Sequence, residues 1–141
     1  MIRKATHKDI PDLVHLMEEL GYPTTLEKME ARYKAISEKD NYHLLIAEED
    51  GKAVGMAGLY SALFFEYDGL YVRLAAFVVD SRYRRKGIGK ALLSEVEKWA
   101  KDQGAESVLL NSGNRPERKA AHQFYLRLGY LAKSIGFVKS I

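Results

Sequence analysis

The stretch that most narrows the possible folds of this chain lies at residues 74–101. An apolar run at residues 74–79 leads into a basic turn at residues 82–86, and Gly87 and Gly89 follow. The segment after the turn is amphipathic, because its apolar residues recur at helical spacing. These apolar residues are Ile88, Leu92, Leu93, Val96, Trp99 and Ala100. The sequence therefore predicts a strand, a basic glycine-containing turn and a helix, in that order.

This order of elements favours a binding site for a multiply charged anion. The first turn of a helix has backbone N–H groups without intrahelical partners, and the helix dipole adds partial positive charge there. Glycines let a ligand approach the backbone, and the basic residues of the turn add charge. A tight turn with a solvated basic face would show the same residues. The turn is neither a dinucleotide fingerprint, which needs a third glycine, nor a P-loop, which needs Gly-Lys-Ser/Thr.

Two segments together resemble a known family. Residues 84–89, Arg-Arg-Lys-Gly-Ile-Gly, resemble the acyl-CoA signature Arg/Gln-x-x-Gly-x-Gly/Ala of the GNAT superfamily of N-acetyltransferases. Residues 121–130, AHQFYLRLGY, are similar to that family's A-x-x-F-Y-x-x-x-G-F/Y segment. The resemblance implies an α/β (α+β) fold with a mixed, mostly antiparallel central sheet and helices on both faces. We expect residues 1–141 to form a single domain of this kind.

Composition and charge limit which other kinds of site, ligand and cellular location we expect. The chain has a net charge of +3 and no cysteine, which excludes disulfides, thiolate metal sites and a cysteine nucleophile. Basic charge is concentrated between Arg82 and Lys90, which fits one anionic ligand better than a nucleic-acid surface. The histidines show no ligand spacing, so we expect no metal. Without an apolar signal core or an apolar run of about 18 residues, we expect no membrane partner and a cytoplasmic location.

Hydrophobic periodicity and turn residues predict the remaining elements. Thr6-x-x-Asp9 is a capping arrangement at the start of a helix, and Asp50-Gly51 is typical of the tip of a hairpin. Besides the central helix, we expect helices near residues 6–20, 25–36 and 116–128. Strands are expected at residues 2–5, 42–47, 53–63, 70–79, 107–110 and from 130 onward, most clearly at 135–138.

The resemblance also assigns contacts to acetyl-CoA, the expected co-substrate. Its pyrophosphate would lie on the basic turn, and its peptide-like pantetheine arm would pair with strand backbone. A backbone N–H near Val78 would stabilise the charge that develops on the thioester oxygen. Many relatives carry asparagine where this chain has Arg118, so Asn111, Asn114 or Arg118 itself could contact the cofactor. The other expected contacts are Phe77, Val78, Val79, Arg84, Arg85, Lys86, Gly87, Ile88, Gly89 and Lys90.

Three residues are candidates for proton transfer. Tyr125 falls at the position of the family's general-acid tyrosine, which protonates the CoA thiolate; a core tyrosine is the alternative interpretation. Glu66 and Asp68 lie close to the strand that faces the thioester and are candidates for the base that deprotonates the amine. A solvated turn is the alternative role for both. Together with Glu18 and Glu19, these carboxylates would suit a cationic amine.

The predicted function is therefore N-acetylation, in which a primary amine of a small molecule or peptide attacks acetyl-CoA directly. A non-catalytic acyl-CoA sensor is the alternative, and the presence of Tyr125 argues against it. A nucleic-acid-binding module ranks lowest, because aromatic residues are not interleaved with the basic ones. Ile135, Phe137 and Val138 in the last predicted strand could pair two chains into a homodimer.

Overall fold

The structure is a computed structural model that describes residues 1–113 and 116–141, in two units, Met1–Leu109 and Leu110–Ile141. This division does not test the single predicted domain, which stays a prediction. Within the described ranges, no helix combines the length and the apolar character that crossing a membrane requires. The elements are β1 (Ile2–Lys4), α1 (Ile10–Leu20), α2 (Leu26–Ser37), β2 (Tyr42–Glu49), β3 (Lys52–Leu63), β4 (Leu70–Val79), α3 (Ile88–Asp102), β5 (Ala105–Leu110) and α4 (Lys119–Arg127).

The five strands form one sheet in the order β1-β2-β3-β4-β5. The first three neighbouring pairs are antiparallel. β2 and β3 are joined by Asp50 and Gly51, whose φ values of 52° and 74° are the left-handed values that a type I′ hairpin turn requires. α3 connects β4 to its neighbour β5, and a helical crossover of this kind is typical of parallel strands. The predicted mixed, mostly antiparallel sheet is confirmed.

Helices cover both faces of this sheet. Met56 of β3 lies in a buried cluster with Leu16 of α1 and Met29 of α2. A Cβ added to its neighbour Gly55 would lie only 3.0 Å from Leu92 Cδ1 of α3. Successive residues of a strand point to opposite faces, so α1 and α2 pack on one face and α3 on the other. The small residue at position 55 lets α3 approach the strand closely.

β4 carries a bulge at Ala75. The pairing with β3 skips from Ala76 to Leu74, although β3 itself continues without an extra residue. The bulge therefore changes which face of the sheet the side chains of β4 occupy. After it, Ala76 and Val78 pack in the cluster formed with α1 and α2. Before it, Leu74 pairs with Leu59 on the face that α3 covers.

A buried carboxylate holds the chain just before α1. Asp9 is 5% exposed, and its Oδ2 accepts the Thr6 N–H at 2.7 Å, as the predicted capping arrangement requires. Both of its oxygens also accept hydrogen bonds from the Arg3 guanidinium at 2.9 Å. Burial alone would raise the pKa of Asp9, but the hydrogen bonds from Arg3 and Thr6 outweigh it and hold that pKa below its ordinary value.

The last predicted strand is wrong. Residues 130–141 contain neither helix nor strand, and Ile135, Phe137 and Val138 are 79%, 91% and 96% exposed. A strand is stable only when its backbone pairs with others and one of its faces is buried. The apolar residues of this segment fill no core, so their β propensity alone does not fix a strand. The homodimer predicted through these residues stays a prediction.

We expect Asp9→Asn to lower the free energy of unfolding by about 1 to 3 kcal/mol near pH 7, because it removes charged hydrogen bonds from Arg3. Because the folded-state pKa of Asp9 is depressed, its contribution is present above the unfolded-state pKa of about 3.9 and is lost as pH falls through the folded-state value. Urea unfolding of both proteins at several pH values measures this. A stability difference that does not shrink below about pH 4 would contradict the ionic role of Asp9.

Candidate functional site

Residues 80–87 connect β4 to α3 through a sharp turn. A 3-10 turn at Ser81–Tyr83 comes first, and then Arg85 and Gly87 adopt left-handed φ values of 64° and 79°. Gly87 is the N-cap of α3, and a Cβ added there would meet no atom of the described residues within 4 Å. Ile88 is 8% exposed and anchors the first residue of α3 in the core. The predicted order of strand, basic turn and helix is confirmed, with open space beside Gly87.

The backbone of this turn has N–H groups that the surrounding backbone does not use. Among the described residues, the N–H groups of residues 85–90 donate to no backbone carbonyl. The N–H of Ala91 is the first that does so, to Gly87 O at 3.0 Å. The helix dipole adds partial positive charge at the same place. These donors suit an anionic acceptor that brings several oxygens, as a diphosphate does.

The basic side chains of the turn have different roles. Arg84 Nε donates to Val79 O at 3.1 Å, which ties this guanidinium back to the end of β4. Arg85, Lys86 and Lys90 are exposed to solvent beside the N–H groups. The structure therefore brings the predicted basic contacts together on this turn and on the first turn of α3, and Lys86 Nζ lies 5.1 Å from the centre of the Tyr83 ring.

The turn begins at a second buried carboxylate, Asp80, which is 2% exposed. Its Oδ1 accepts the Arg82 backbone N–H and its Oδ2 accepts Arg82 Nη2, each at 2.9 Å. His15 Nε2 of α1 lies 3.0 Å from the same Oδ2. Beside them, Glu19 Oε1 of α1 accepts the Ser81 N–H at 2.6 Å. The hydrogen bonds from Arg82 lower the pKa of Asp80 far below its ordinary value, against the opposing effect of burial.

The cluster of His15, Glu19 and Asp80 was not predicted from the sequence. One ligand-type atom each from His15, Glu19 and Asp80 lies within 4.8 Å of the others, although Arg82 and the Ser81 N–H already donate to the carboxylates. The predicted absence of a metal stays a prediction. Part of the signal is in the sequence, because His15 and Glu19 are four residues apart and share a helix face. Their contact with Asp80 depends on how α1 packs on the sheet.

The predicted pantetheine contacts, Phe77, Val78 and Val79, form the end of β4 beyond the bulge. The side chain of Val78 is 6% exposed and packs in the α1–α2 cluster, whereas Phe77 and Val79 are half-buried. Ala75 is exposed although it lies in the middle of β4. A small, accessible residue therefore lies next to the backbone that is predicted to hold the thioester.

Glu66 and Asp68 lie in the exposed loop of residues 64–69, which joins β3 to β4. The turn of residues 80–87 follows the other end of β4. That strand has 10 residues, and an extended strand of this length spans about 30 Å. The structure therefore does not bring these two carboxylates together with the turn.

Tyr125 lies in the second unit, on α4, and is half-buried. Its ring centroid is 5.4 Å from that of Phe124 and 5.9 Å from that of Tyr130. The Tyr130 N–H donates to Tyr125 O at 3.0 Å, which helps to close the end of the helix. Burial raises the pKa of Tyr125, partly opposed by the positive charge of Arg118, so the phenol is protonated at neutral pH.

Two of the three alternative cofactor contacts are described, and both lie at or before the start of α4. Arg118 is half-buried at the N-cap of α4, and Asn111 is exposed. Asn114 lies outside the described residues. His122 Nε2 of α4 lies 2.9 Å from Gly113 O.

Several known proteins similar to this chain are acetyltransferases, as the sequence resemblance predicts. A family model described as "Acetyltransferase (GNAT) family" matches residues 10–130. An uncharacterised N-acetyltransferase of Bacillus subtilis is 30% identical over 132 residues, which cover 93% of this chain and 88% of the relative. An aminoalkylphosphonate N-acetyltransferase of Salmonella typhimurium is 29% identical over 147 residues, covering 99% of this chain and 90% of the relative. Among solved structures, a GNAT family acetyltransferase of Staphylococcus aureus matches with a TM-score of 0.86 and 33% identity, covering 100% of this chain and 98% of that one.

Proposed function

Because the chain belongs to the GNAT family and is an acetyl-CoA-dependent acetyltransferase, we propose that it acetylates a primary amine of a small molecule, with Tyr125 as proton donor to the CoA thiolate. The observation that carries this proposal is the turn between β4 and α3. Within residues 1–113 and 116–141, its N–H groups at residues 85–90 have no backbone acceptor and the space beside Gly87 is open. Both features fit the diphosphate of CoA.

The residues around this turn would each make a different contribution to binding the cofactor. The N–H groups of residues 85–90 would donate to phosphate oxygens, and the exposed Arg85, Lys86 and Lys90 would supply charge. Arg84 would fix the shape of the turn through its bond to Val79 O. The backbone at the end of β4 would pair with the pantetheine arm, and the Val78 N–H would stabilise the thioester oxygen as it gains charge.

The amine has to lose a proton before it attacks. If its pKa is near 10.4, as for lysine, only about one molecule in 2,500 is neutral at pH 7, a cost of roughly 4.6 kcal/mol. Glu66 and Asp68 are the proposed acceptors of that proton. Because they lie in the loop at the far end of β4, a single bridging water would not reach them, and they would accept the proton at the end of a chain of water molecules.

The departing CoA thiolate gains stability from a proton donor. A thiol has an ordinary pKa of about 8.5 and tyrosine one of about 10, so complete transfer from tyrosine is uphill by about 2 kcal/mol. Burial raises the pKa of Tyr125 and makes complete transfer still less favourable. Tyr125 would therefore act mainly by donating a hydrogen bond to the thiolate as it forms, and water would complete the protonation.

A panel of small amines in an assay of CoA release tests the function and the acceptor class. We expect turnover of cationic amines such as a polyamine, because Glu66 and Asp68 are exposed acids. The panel includes an aminoalkylphosphonate, the acceptor named for the Salmonella typhimurium relative. Turnover confined to the phosphonate would contradict the preference for cations but not acetyl transfer. Thermal stabilisation by acetyl-CoA without release of CoA from any amine would indicate the sensor function instead.

We expect Tyr125→Phe to lower kcat by about 10- to 100-fold, because a hydrogen bond to a charged group contributes about 1.5 to 3 kcal/mol. The KM for acetyl-CoA should change little, since the bond forms mainly as the thiolate develops. Tyr33→Phe is the control, because Tyr33 is a half-buried tyrosine that donates to Ala5 O at 3.4 Å. Equal kcat for the parent and Tyr125→Phe would remove Tyr125 from the mechanism.

We expect Gly87→Ala to raise the KM for acetyl-CoA by about 10-fold or more, because the new methyl group would occupy the open space beside the turn. The left-handed φ of 79° should also lower stability by about 1 to 2 kcal/mol. Gly51→Ala is the matched control, since Gly51 has a φ of 74° and an added Cβ there would also meet none of the described residues within 4 Å. The same KM increase in both variants would show that strain, and not the loss of a ligand site, is responsible.

A further inference from the structure

We propose that Asp80 is a positioning residue for cofactor binding, which fixes the turn in its anion-binding form through Arg82 and through anchors on α1. The inference rests on the proposed function, because it assumes that residues 85–90 hold the CoA diphosphate. Asp80 would not contact the cofactor. It would act by setting the direction in which the backbone leaves β4.

The geometry places Asp80 where the chain changes direction. Its own N–H donates to Val54 O at 2.8 Å, so the residue still belongs to the sheet, and its C=O accepts the Tyr83 N–H at 2.9 Å in the 3-10 turn. Its side chain accepts the Arg82 backbone N–H at 2.9 Å. One residue therefore fixes the first turn of backbone after β4 through both its main chain and its side chain.

The Asp80 carboxylate also fixes the orientation of the Arg82 side chain. Arg82 donates to Asp80 from Nε at 3.2 Å and from Nη2 at 2.9 Å, a paired arrangement that orients its planar guanidinium. Arg84 is likewise tied to Val79 O. These two arginines shape the turn, and phosphate binding is left to the backbone N–H groups and to Arg85 and Lys86.

Two residues of α1 contact Asp80 and Ser81 at the start of the turn. His15 Nε2 lies 3.0 Å from Asp80 Oδ2, and Glu19 Oε1 accepts the Ser81 N–H at 2.6 Å. His15 and Glu19 are one helical turn apart, so both contacts come from one face of α1. Because α1 is itself packed in the core through Leu13 and Leu16, it provides a rigid support for the start of the turn.

The chain contains a matched control for this role. Asp9 is also a buried carboxylate, 5% exposed against 2% for Asp80, and it also accepts two bonds from an arginine and one from a backbone N–H. Asp9 lies before α1, whereas Asp80 lies at the turn. Loss of either carboxylate should lower stability, but only loss of Asp80 should affect cofactor binding.

The experiment measures kcat, the KM for acetyl-CoA and the melting temperature of the parent, Asp80→Asn and Asp9→Asn. We expect similar losses of melting temperature in the two variants, with a KM about 10-fold higher for Asp80→Asn only and kcat within about twofold of the parent. Asparagine keeps an oxygen that can accept the Arg82 N–H, so the variant is expected to fold. Equal KM changes in the two variants, or an unchanged KM in Asp80→Asn, would overturn the inference.

A second set of variants tests the anchor on α1 without changing a buried charge. Glu19→Ala removes the acceptor of the Ser81 N–H, whereas Glu19→Gln keeps an oxygen there. We expect Glu19→Ala to raise the KM for acetyl-CoA by several-fold and Glu19→Gln to keep a KM close to that of the parent. Equal KM values in the two variants would contradict the anchoring role. If acetyl-CoA does not raise the melting temperature of the parent, the proposed function is overturned together with this inference. If it does raise it but the variants do not change the KM as expected, only the positioning role of Asp80 is overturned.

Discussion

Between β4 and α3 the backbone has to leave a sheet and enter a helix within a few residues, and its N–H groups at 85–90 find no carbonyl acceptor in the part of the chain that the structure describes. A helix cannot satisfy the donors of its own first turn, so they need an acceptor from outside the helix. The elements around the turn are held firmly, since Ile88 is buried and Gly55 brings α3 close to β3. The donors are therefore presented by a rigid frame, and a ligand can bind them without first ordering the chain.

The two buried carboxylates hold α1 at two points along its length. Just before the helix, Asp9 accepts hydrogen bonds from Arg3 of β1 and from the Thr6 N–H. Midway along the helix, His15 contacts Asp80, which also accepts hydrogen bonds from Arg82. In each case the charge of the carboxylate is compensated by an arginine and by a backbone donor, which offsets much of the cost of burial. α1 is thus connected to the first strand and to the fourth by directional contacts, in addition to its apolar face.

The parts of the fold that could be predicted from the sequence are those set by neighbouring residues. Asp50-Gly51, the capping pair Thr6 and Asp9, and the basic turn all depend on local backbone preferences, and the structure contains each of them. The strand at residues 135–138 failed because its stability would depend on a partner and a core that the sequence does not specify locally. The contact of His15 and Glu19 with the start of the turn was missed for the same reason, since it arises only when α1 packs against the sheet.

The bulge at Ala75 reverses which side chains of β4 point to each face of the sheet, and the sequence does not reveal this reversal. Val72, Leu74, Ala76 and Val78 alternate along the sequence as if they formed one apolar stripe, yet the bulge assigns the first two and the last two to opposite faces. Removing one residue there would restore a regular pleat and turn one of these pairs away from its layer of the core. A point substitution in β4 leaves this assignment of faces unchanged, whereas a one-residue insertion or deletion would exchange the two faces along part of the strand that leads to the turn of residues 80–87.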